Sequence, residues 1–133
     1  MHIPLRIKRV DSITELDPGD AGCVAISGSH GGTSAARYAL AARPLLSVFN
    51  DAGVGLRQAG IAALAELQAH GLAACTVAHT SACIGSADSA WDSGVISHAN
   101  PNALALGMQP GLALQVAIGA LHSRMEGLSP PSA

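Results

Sequence analysis

Short apolar runs that end in glycine-rich or polar loops restrict this chain to a small set of folds. The first lies in VAISGSHGG at residues 24–32, where the apolar run stops at small polar residues, one histidine and two glycines. A helical pattern follows at residues 33–42, and similar apolar runs return at 45–49 and 73–79. Apolar runs of this length, bounded by turn residues, are typical of buried strands. Strands alternating with helices predict right-handed crossovers and a mostly parallel sheet.

The flanking patterns predict one more strand and a long helix. Apolar residues alternate with polar ones over residues 3–8, and Pro4 places this strand at a sheet edge because proline cannot donate to a ladder. Apolar spacing over residues 56–70 predicts a helix that ends before Gly71. Gly60 inside this helix is expected to cost about 1 kcal/mol relative to alanine.

The C-terminal half completes the pattern. Residues 80–94 are rich in Ser, Ala and Asp and predict a loop, and the β-prone residues 95–97 follow it. Pro110 opens a last, nearly all-apolar helix that runs to about residue 126. We therefore predict a single three-layer α/β domain over residues 1–127, with a mostly parallel sheet flanked by helices. Residues 128–133, which contain two prolines, are expected to form a flexible tail.

Composition excludes several classes of function. The net charge is −2 and aromatic residues make up 2% of the chain, so neither a basic stripe nor a stacking platform for nucleic acid is present. No run reaches the eighteen or so apolar residues of a membrane span. The three cysteines are odd in number and lack C-x-x-C spacing, which favours a reducing compartment. We expect a cytoplasmic protein that binds neither membranes nor nucleic acid.

Residues able to do chemistry stand where the predicted strands end. In open parallel sheets, ligands bind beyond the carboxyl ends of the strands, so side chains at these positions are expected to share one rim. Histidine transfers protons near neutral pH, and an aspartate can orient it. The same set suits Zn²⁺ or another divalent ion, although its irregular spacing matches no metal motif, so the cofactor stays open. The four residues are His30, Asp51, His79 and His98.

Two nucleophiles are also expected near this rim. The segment SGSHG around Ser29 resembles a relaxed nucleophile elbow, with Ser27 where the usual first glycine stands. Cys83 follows His79 by four residues in a polar loop, where a nearby imidazolium favours the thiolate.

Glycine-rich turns before two predicted helices indicate a separate ligand-binding role. Free backbone N–H groups and the helix dipole attract anions at such positions, although glycine also simply permits a tight turn. The predicted ligand-binding residues are Gly31, Gly32, Asn50, Gly53, Gly55 and Ser81.

These observations favour a small enzyme over a purely structural protein. We expect His/Asp acid–base chemistry of the hydrolase or lyase type on a small anionic metabolite. The alternative is a non-catalytic ligand-binding or assembly subunit of a homo-oligomer.

The low charge content also predicts self-association. Charged residues make up 12% of the chain and hydrophobic residues 49%, which leaves much of the surface neutral or apolar. We expect a homo-oligomer at micromolar concentration, with the helix over residues 112–125 at the contact. Light scattering measures this directly, and a clean monomer would contradict it.

Overall fold

The computed structural model describes residues 5–55 and 58–127, so the predicted tail at 128–133 lies outside the described residues. One sheet forms its centre, with the strands in the order β1-β2-β3-β4-β5. The first four strands are parallel, and the fifth is antiparallel to the fourth. The predicted α/β fold with a mostly parallel sheet is confirmed. The strands are β1 (Ile7–Val10), β2 (Val24–His30), β3 (Leu46–Asn50), β4 (Ala73–Val77) and β5 (Ile96–Ala99).

Helices cover both faces of the sheet. Strand alternation directs Phe49 and Ala74 towards α1 and α2, whereas Val48 and Cys75 face α3 and α5. Two short 3₁₀ turns, Ile13–Glu15 and Pro18–Asp20, connect β1 to β2. The helices are α1 (Thr33–Ala42), α2 (Ala62–Ala69), α3 (Ala87–Ser93), α4 (Pro101–Ala105) and α5 (Leu114–Gly127).

The connections leave the sheet on opposite faces at two neighbouring strands. β3 continues into α2 on one face, whereas β4 continues into α3 on the other face. The loops after β3 and β4 therefore diverge and leave a crevice between them. In open α/β sheets this is the place where ligands bind.

Three predicted elements differ from the observed ones at their ends. β1 lies at a sheet edge as expected, but it begins at Ile7, with Ile7 exposed and Val10 buried. The helix predicted over residues 56–70 starts at residues 56–57, which lie outside the described residues, and α2 begins at Ala62. The last helix begins at Leu114, because the backbone just before it exchanges hydrogen bonds with Ile96.

The predicted loop at residues 80–94 contains α3, which the sequence reasoning missed. Its composition is weakly helical, so tertiary contacts and a cap stabilise it. The Ser86 hydroxyl accepts a hydrogen bond from the Ser89 N–H, and Ala87 and Ala90 are buried in the core. The capping serine and the two buried alanines lie within five residues, which is too short a stretch to show a helical periodicity.

Gly60 has a different role from the one predicted. It precedes α2 and packs directly against the loop after β3. A Cβ at this position would overlap the carbonyl oxygen of Asp51. The absence of a side chain is therefore a requirement of close packing, and the expected helical cost of glycine does not apply.

We predict opposite effects from two Gly→Ala substitutions. Gly60→Ala should lower the free energy of unfolding by about 2 kcal/mol or more, because the backbone at Asp51 has to move. Gly119→Ala in α5 should raise it by about 0.5–1 kcal/mol, because a Cβ there meets nothing within 4 Å and alanine favours the helix. Urea unfolding measures both, and a Gly60→Ala variant as stable as the wild type would contradict the packing argument.

Candidate functional site

Asp51 directly follows β3 and places a buried carboxylate between two loops. Its backbone N–H donates to the Val77 carbonyl at 2.9 Å, and its side chain is only 6% exposed. Oδ1 accepts hydrogen bonds from the N–H groups of Gly53 at 2.8 Å and His79 at 3.0 Å. Nδ1 of the His79 ring lies 3.3 Å from the same oxygen. One carboxylate oxygen thus joins the loops after β3 and β4.

The second carboxylate oxygen faces a cluster on β4 and β5. Oδ2 lies 4.0 Å from Nδ1 of His98, and the nearby Ser97 hydroxyl lowers the pKa of the Asp51 carboxyl. Oγ of Ser97 is 2.8 Å from Oγ1 of Thr76 and 3.3 Å from Nδ1 of His98. Asp51 therefore lies between two imidazole rings, one on each side.

An irregularity in the β4–β5 pairing places Ser97 and His98 together. His98 pairs with Thr76 and Ile96 with Val77, so Ser97 is an extra residue between the two pairs. Bulges of this kind re-aim side chains and are common beside active sites. Because β5 is antiparallel, its first residues meet the carboxyl end of β4. His98 was predicted at the rim as a residue at the end of a parallel strand. It lies there because it belongs to an antiparallel strand that begins at the rim.

The environment of Asp51 holds its carboxylate in the ionised form. Burial alone raises the pKa of Asp51, but hydrogen bonds from the Gly53 N–H, the Ser97 hydroxyl and His79 outweigh it. The net result is a pKa below the ordinary value of 3.8. At neutral pH the site therefore contains a fixed negative charge beside two histidines.

Gly53 lies against the His79 ring and has a left-handed backbone conformation. A Cβ on Gly53 would be 3.4 Å from Cε1 of His79, and φ at Gly53 is +75°. Glycine adopts this left-handed conformation without steric cost. Because Nδ1 faces Asp51, Nε2 lies on the far side of a ring whose side chain is 54% exposed. The orientation of His79 matches that of a histidine held by an aspartate in a catalytic triad.

An open cavity of about 480 Å³ lies beside His79 on the α3 face of the sheet. Several of its hydroxyl groups are engaged in structural hydrogen bonds, including those of Ser89 and Ser93 in α3. Cys83 is exposed in the same lining, and neither its thiol nor the Thr80 hydroxyl has a hydrogen-bond partner among the described residues. These two groups, together with Nε2 of His79, are available to a ligand.

His30 and Ser29, two of the predicted site residues, lie elsewhere. The His30 ring is over the start of α1, where a Cβ on Gly32 would be 2.7 Å from Nε2 of His30. The Ser29 hydroxyl accepts a hydrogen bond from the Ile13 N–H at 2.9 Å. Neither side chain hydrogen-bonds Asp51 or His79 within the described part of the chain.

The end of β2 explains this separation. Its pairing with β3 is irregular between Ile26 and His30. There the Gly28 N–H donates to the Asp11 carbonyl, and the Gly28 carbonyl accepts from the Gly85 N–H. Two extra β2 residues are accommodated there, after which His30 pairs with Asn50. The backbone of His30 therefore lies beside the end of β3, whereas its ring lies over the start of α1 and not beside Asp51.

The four predicted anion-binding glycines use their N–H groups inside the protein. The anion that the glycine-rich turn after β3 holds is the carboxylate of Asp51 itself. No free donor is left at these glycines for an external phosphate or carboxylate. The N–H of Gly31 donates to the Asn50 carbonyl and that of Gly32 to the His30 carbonyl. The N–H of Gly53 donates to Oδ1 of Asp51, and that of Gly55 donates to the Gly53 carbonyl.

Asn50 and Ser81, which were also predicted to contact a ligand, connect the loops around the crevice. The buried Asn50 side chain donates to the Ala82 carbonyl and accepts from the Ala52 N–H. The Ser81 hydroxyl accepts from the Val95 N–H and donates to a carbonyl of its own turn. Their hydrogen bonds define the positions of the loops that carry Asp51, His79 and Cys83.

Within residues 5–55 and 58–127, no three His, Cys, Asp or Glu side chains are arranged to hold a metal ion. The same residues include no helix long and apolar enough to cross a membrane. Comparison of the chain with protein-family models, with curated proteins and with solved structures finds no match. The functional argument therefore depends on the geometry around Asp51.

We predict that Asp51 makes stability depend on pH in the acid range. Because its pKa is lowered in the folded state, ionised Asp51 contributes stability that is fully present above its ordinary pKa. That contribution is lost as the pH falls through the folded-state value. Asp51→Asn should therefore reduce the free energy of unfolding by about 1.5–3 kcal/mol at pH 6, with a smaller difference at pH 3.

Urea unfolding at the two pH values measures the difference between wild type and variant. Asp88→Asn is the matched control, since the Asp88 side chain is 76% exposed and forms only a surface pair with Arg9. A difference for Asp51→Asn that is equal at pH 6 and pH 3 would contradict the assigned role of the carboxylate.

Proposed function

We propose that this chain is a small enzyme in which Asp51 and His79 perform acid–base chemistry on a small polar metabolite. The observation that carries the proposal is the buried, ionised Asp51 carboxylate at Nδ1 of an exposed His79. This arrangement favours a proton on Nδ1 and leaves Nε2 as the base. The crevice between the diverging loops after β3 and β4 supports the same location.

The chemistry follows from the two nitrogen atoms of His79. Nε2 accepts a proton from water, from a substrate X–H group or from the Cys83 thiol, and Asp51 stabilises the resulting imidazolium. The same proton then passes from Nε2 to the leaving group, so the histidine returns to its starting state. A water nucleophile gives hydrolysis directly. A Cys83 thiolate first displaces the leaving group and forms a covalent intermediate, and water deprotonated by Nε2 then cleaves this intermediate and restores the thiol. Removal of a substrate C–H proton with loss of a leaving group gives elimination. Cys83 supports the hydrolysis route because its side chain lines the same cavity as His79.

The lining of the cavity favours an uncharged polar substrate over the anionic metabolite expected from the glycines. Its described residues include neither lysine nor arginine, and the glycine N–H groups nearby are engaged. The fixed charge of Asp51 is negative. A volume of about 480 Å³ is within the range of small-molecule sites.

The outer face of α5 supports assembly as a further part of the proposal. Leu114, Ile118 and Leu121 are buried on the sheet side, whereas Val116 is 62% exposed on the outside. Leu112, just before the helix, is also exposed. We propose that two copies of the chain meet at this face, and we place the protein in the cytoplasm because its three cysteines are free thiols.

We predict that turnover depends on His79 and Asp51. A thermal-shift screen of uncharged and anionic metabolites identifies ligands, and ¹H NMR follows their conversion. His79→Gln should lower the rate by about 100-fold or more, because general acid–base catalysis contributes that much. Asp51→Asn should lower it as well, while Cys83→Ser distinguishes a thiol nucleophile from water.

His70→Gln is the control for this experiment. His70 is an exposed histidine at the end of α2, and its ring meets only the Glu66 carbonyl among the described contacts. Turnover that survives in His79→Gln would overturn the proposal. Ligands that bind the wild type without any conversion would instead support the non-catalytic binding subunit.

A further inference from the structure

We infer that a second cavity, on the α2 face of the sheet, binds a small neutral molecule with an apolar body and one hydroxyl or amide N–H group. The cavity has a volume of about 580 Å³ and lies between α2, β5 and the turn at Pro110. This size is within the range of small-molecule sites. The residues that define its chemistry are Gln58, Ile61, Leu64, Ser97, His98 and Pro110.

His98 is the ring acceptor that this cavity offers to a ligand, and the Gln58 amide is a second polar group in the lining. Nδ1 of His98 faces inward, 3.3 Å from the Ser97 hydroxyl and 4.0 Å from the Asp51 carboxylate. Nε2 is on the opposite side of the ring and has no partner among the described residues, and the side chain is 40% exposed. The negative charge of Asp51 favours the proton on Nδ1, which leaves Nε2 as a hydrogen-bond acceptor. A ligand that donates an O–H or N–H therefore fits.

Apart from Gln58, Ser97 and His98, the described lining is apolar. Ile61, Leu64 and Pro110 supply the walls, and no Asp, Glu, Lys or Arg is among the described lining residues. A charged ligand would lose hydration here without gaining an Asp, Glu, Lys or Arg partner in the described lining, whereas an apolar body gains from burial. The Ser97 hydroxyl is engaged with the Thr76 hydroxyl and with Nδ1 of His98, so it does not compete with Nε2 of His98 for the ligand.

This site is separate from the one proposed for catalysis. Its walls belong to α2, whereas the cavity beside His79 and Cys83 is lined by α3 on the opposite face. The two described linings have no residue in common, and the Asp51 carboxylate lies between their two histidines. Binding at His98 therefore requires no acid–base chemistry at His79.

NMR titration with four probes of similar size tests the inference. Phenol has an apolar body and one hydroxyl, toluene lacks the donor, and benzoate and benzylammonium carry charges. Phenol should give saturable shifts of the Ile61 methyl and His98 ring signals, with an affinity about 3- to 10-fold higher than that of toluene. The two charged probes should bind at least tenfold more weakly than phenol.

Variants assign the binding to this cavity. Ala65→Phe fills it from an exposed position on α2 and should abolish the shifts. Ala69→Phe, one turn further along α2 and outside the lining, is the matched control and should bind phenol normally. His98→Leu should reduce phenol affinity to that of toluene, because the acceptor is removed. His79→Gln should leave phenol affinity unchanged, which separates this test from that of the proposed enzyme.

Three results would each overturn the inference. The first is the absence of saturable shifts with phenol at concentrations up to about 20 mM, where even weakly binding fragments give shifts. The second is phenol binding that Ala65→Phe leaves unchanged. The third is benzoate or benzylammonium binding as tightly as phenol, because a neutral lining would then not determine the ligand.

Discussion

The buried carboxylate of Asp51 is the interaction on which the arrangement of the crevice depends. A buried charge costs several kcal/mol unless hydrogen bonds and opposite charges compensate it. Here the hydrogen-bond donors come from Gly53 on its own loop and His79 after β4, and Ser97 on β5 further favours the ionised form. Satisfying one side chain therefore holds three chain segments together. The same contacts orient both imidazole rings before any ligand arrives, which is the condition for an effective site.

Close backbone packing also holds the loop that carries Asp51 in position. Gly60 lies against the Asp51 carbonyl, and the Asn50 side chain connects the loops after β3 and β4. Because α2 and α3 leave the sheet on opposite faces, the loops open into two cavities, one beside His79 and one beside His98. The Asp51 carboxylate lies between the histidines of these two cavities, whose linings differ. The α3 cavity has small polar groups and a thiol, whereas the α2 cavity is mostly apolar.

Local pattern alone was sufficient for the outline of the fold and for half of the site. Apolar runs bounded by turn residues located β2, β3 and β4, because buried parallel strands need continuous apolar side chains. Asp51 and His79 follow neighbouring strands, so a parallel sheet had to bring them near each other. Their hydrogen bond follows from strand order and direction, and both of these were inferred from the alternation of strands and helices.

Only the tertiary structure decided the rest. The antiparallel direction of β5 and its extra residue Ser97 depend on pairing with β4, and no periodicity within four residues encodes that pairing. Ser97 and Thr76 were therefore missed, and His30, which pairs with Asn50 after the irregular part of β2, has its ring over the start of α1 and not beside Asp51. The glycine N–H groups were predicted to hold an external anion, but the nearest anion is internal. The sequence by itself determined which residues follow the strands; contacts between distant segments determined which of them meet.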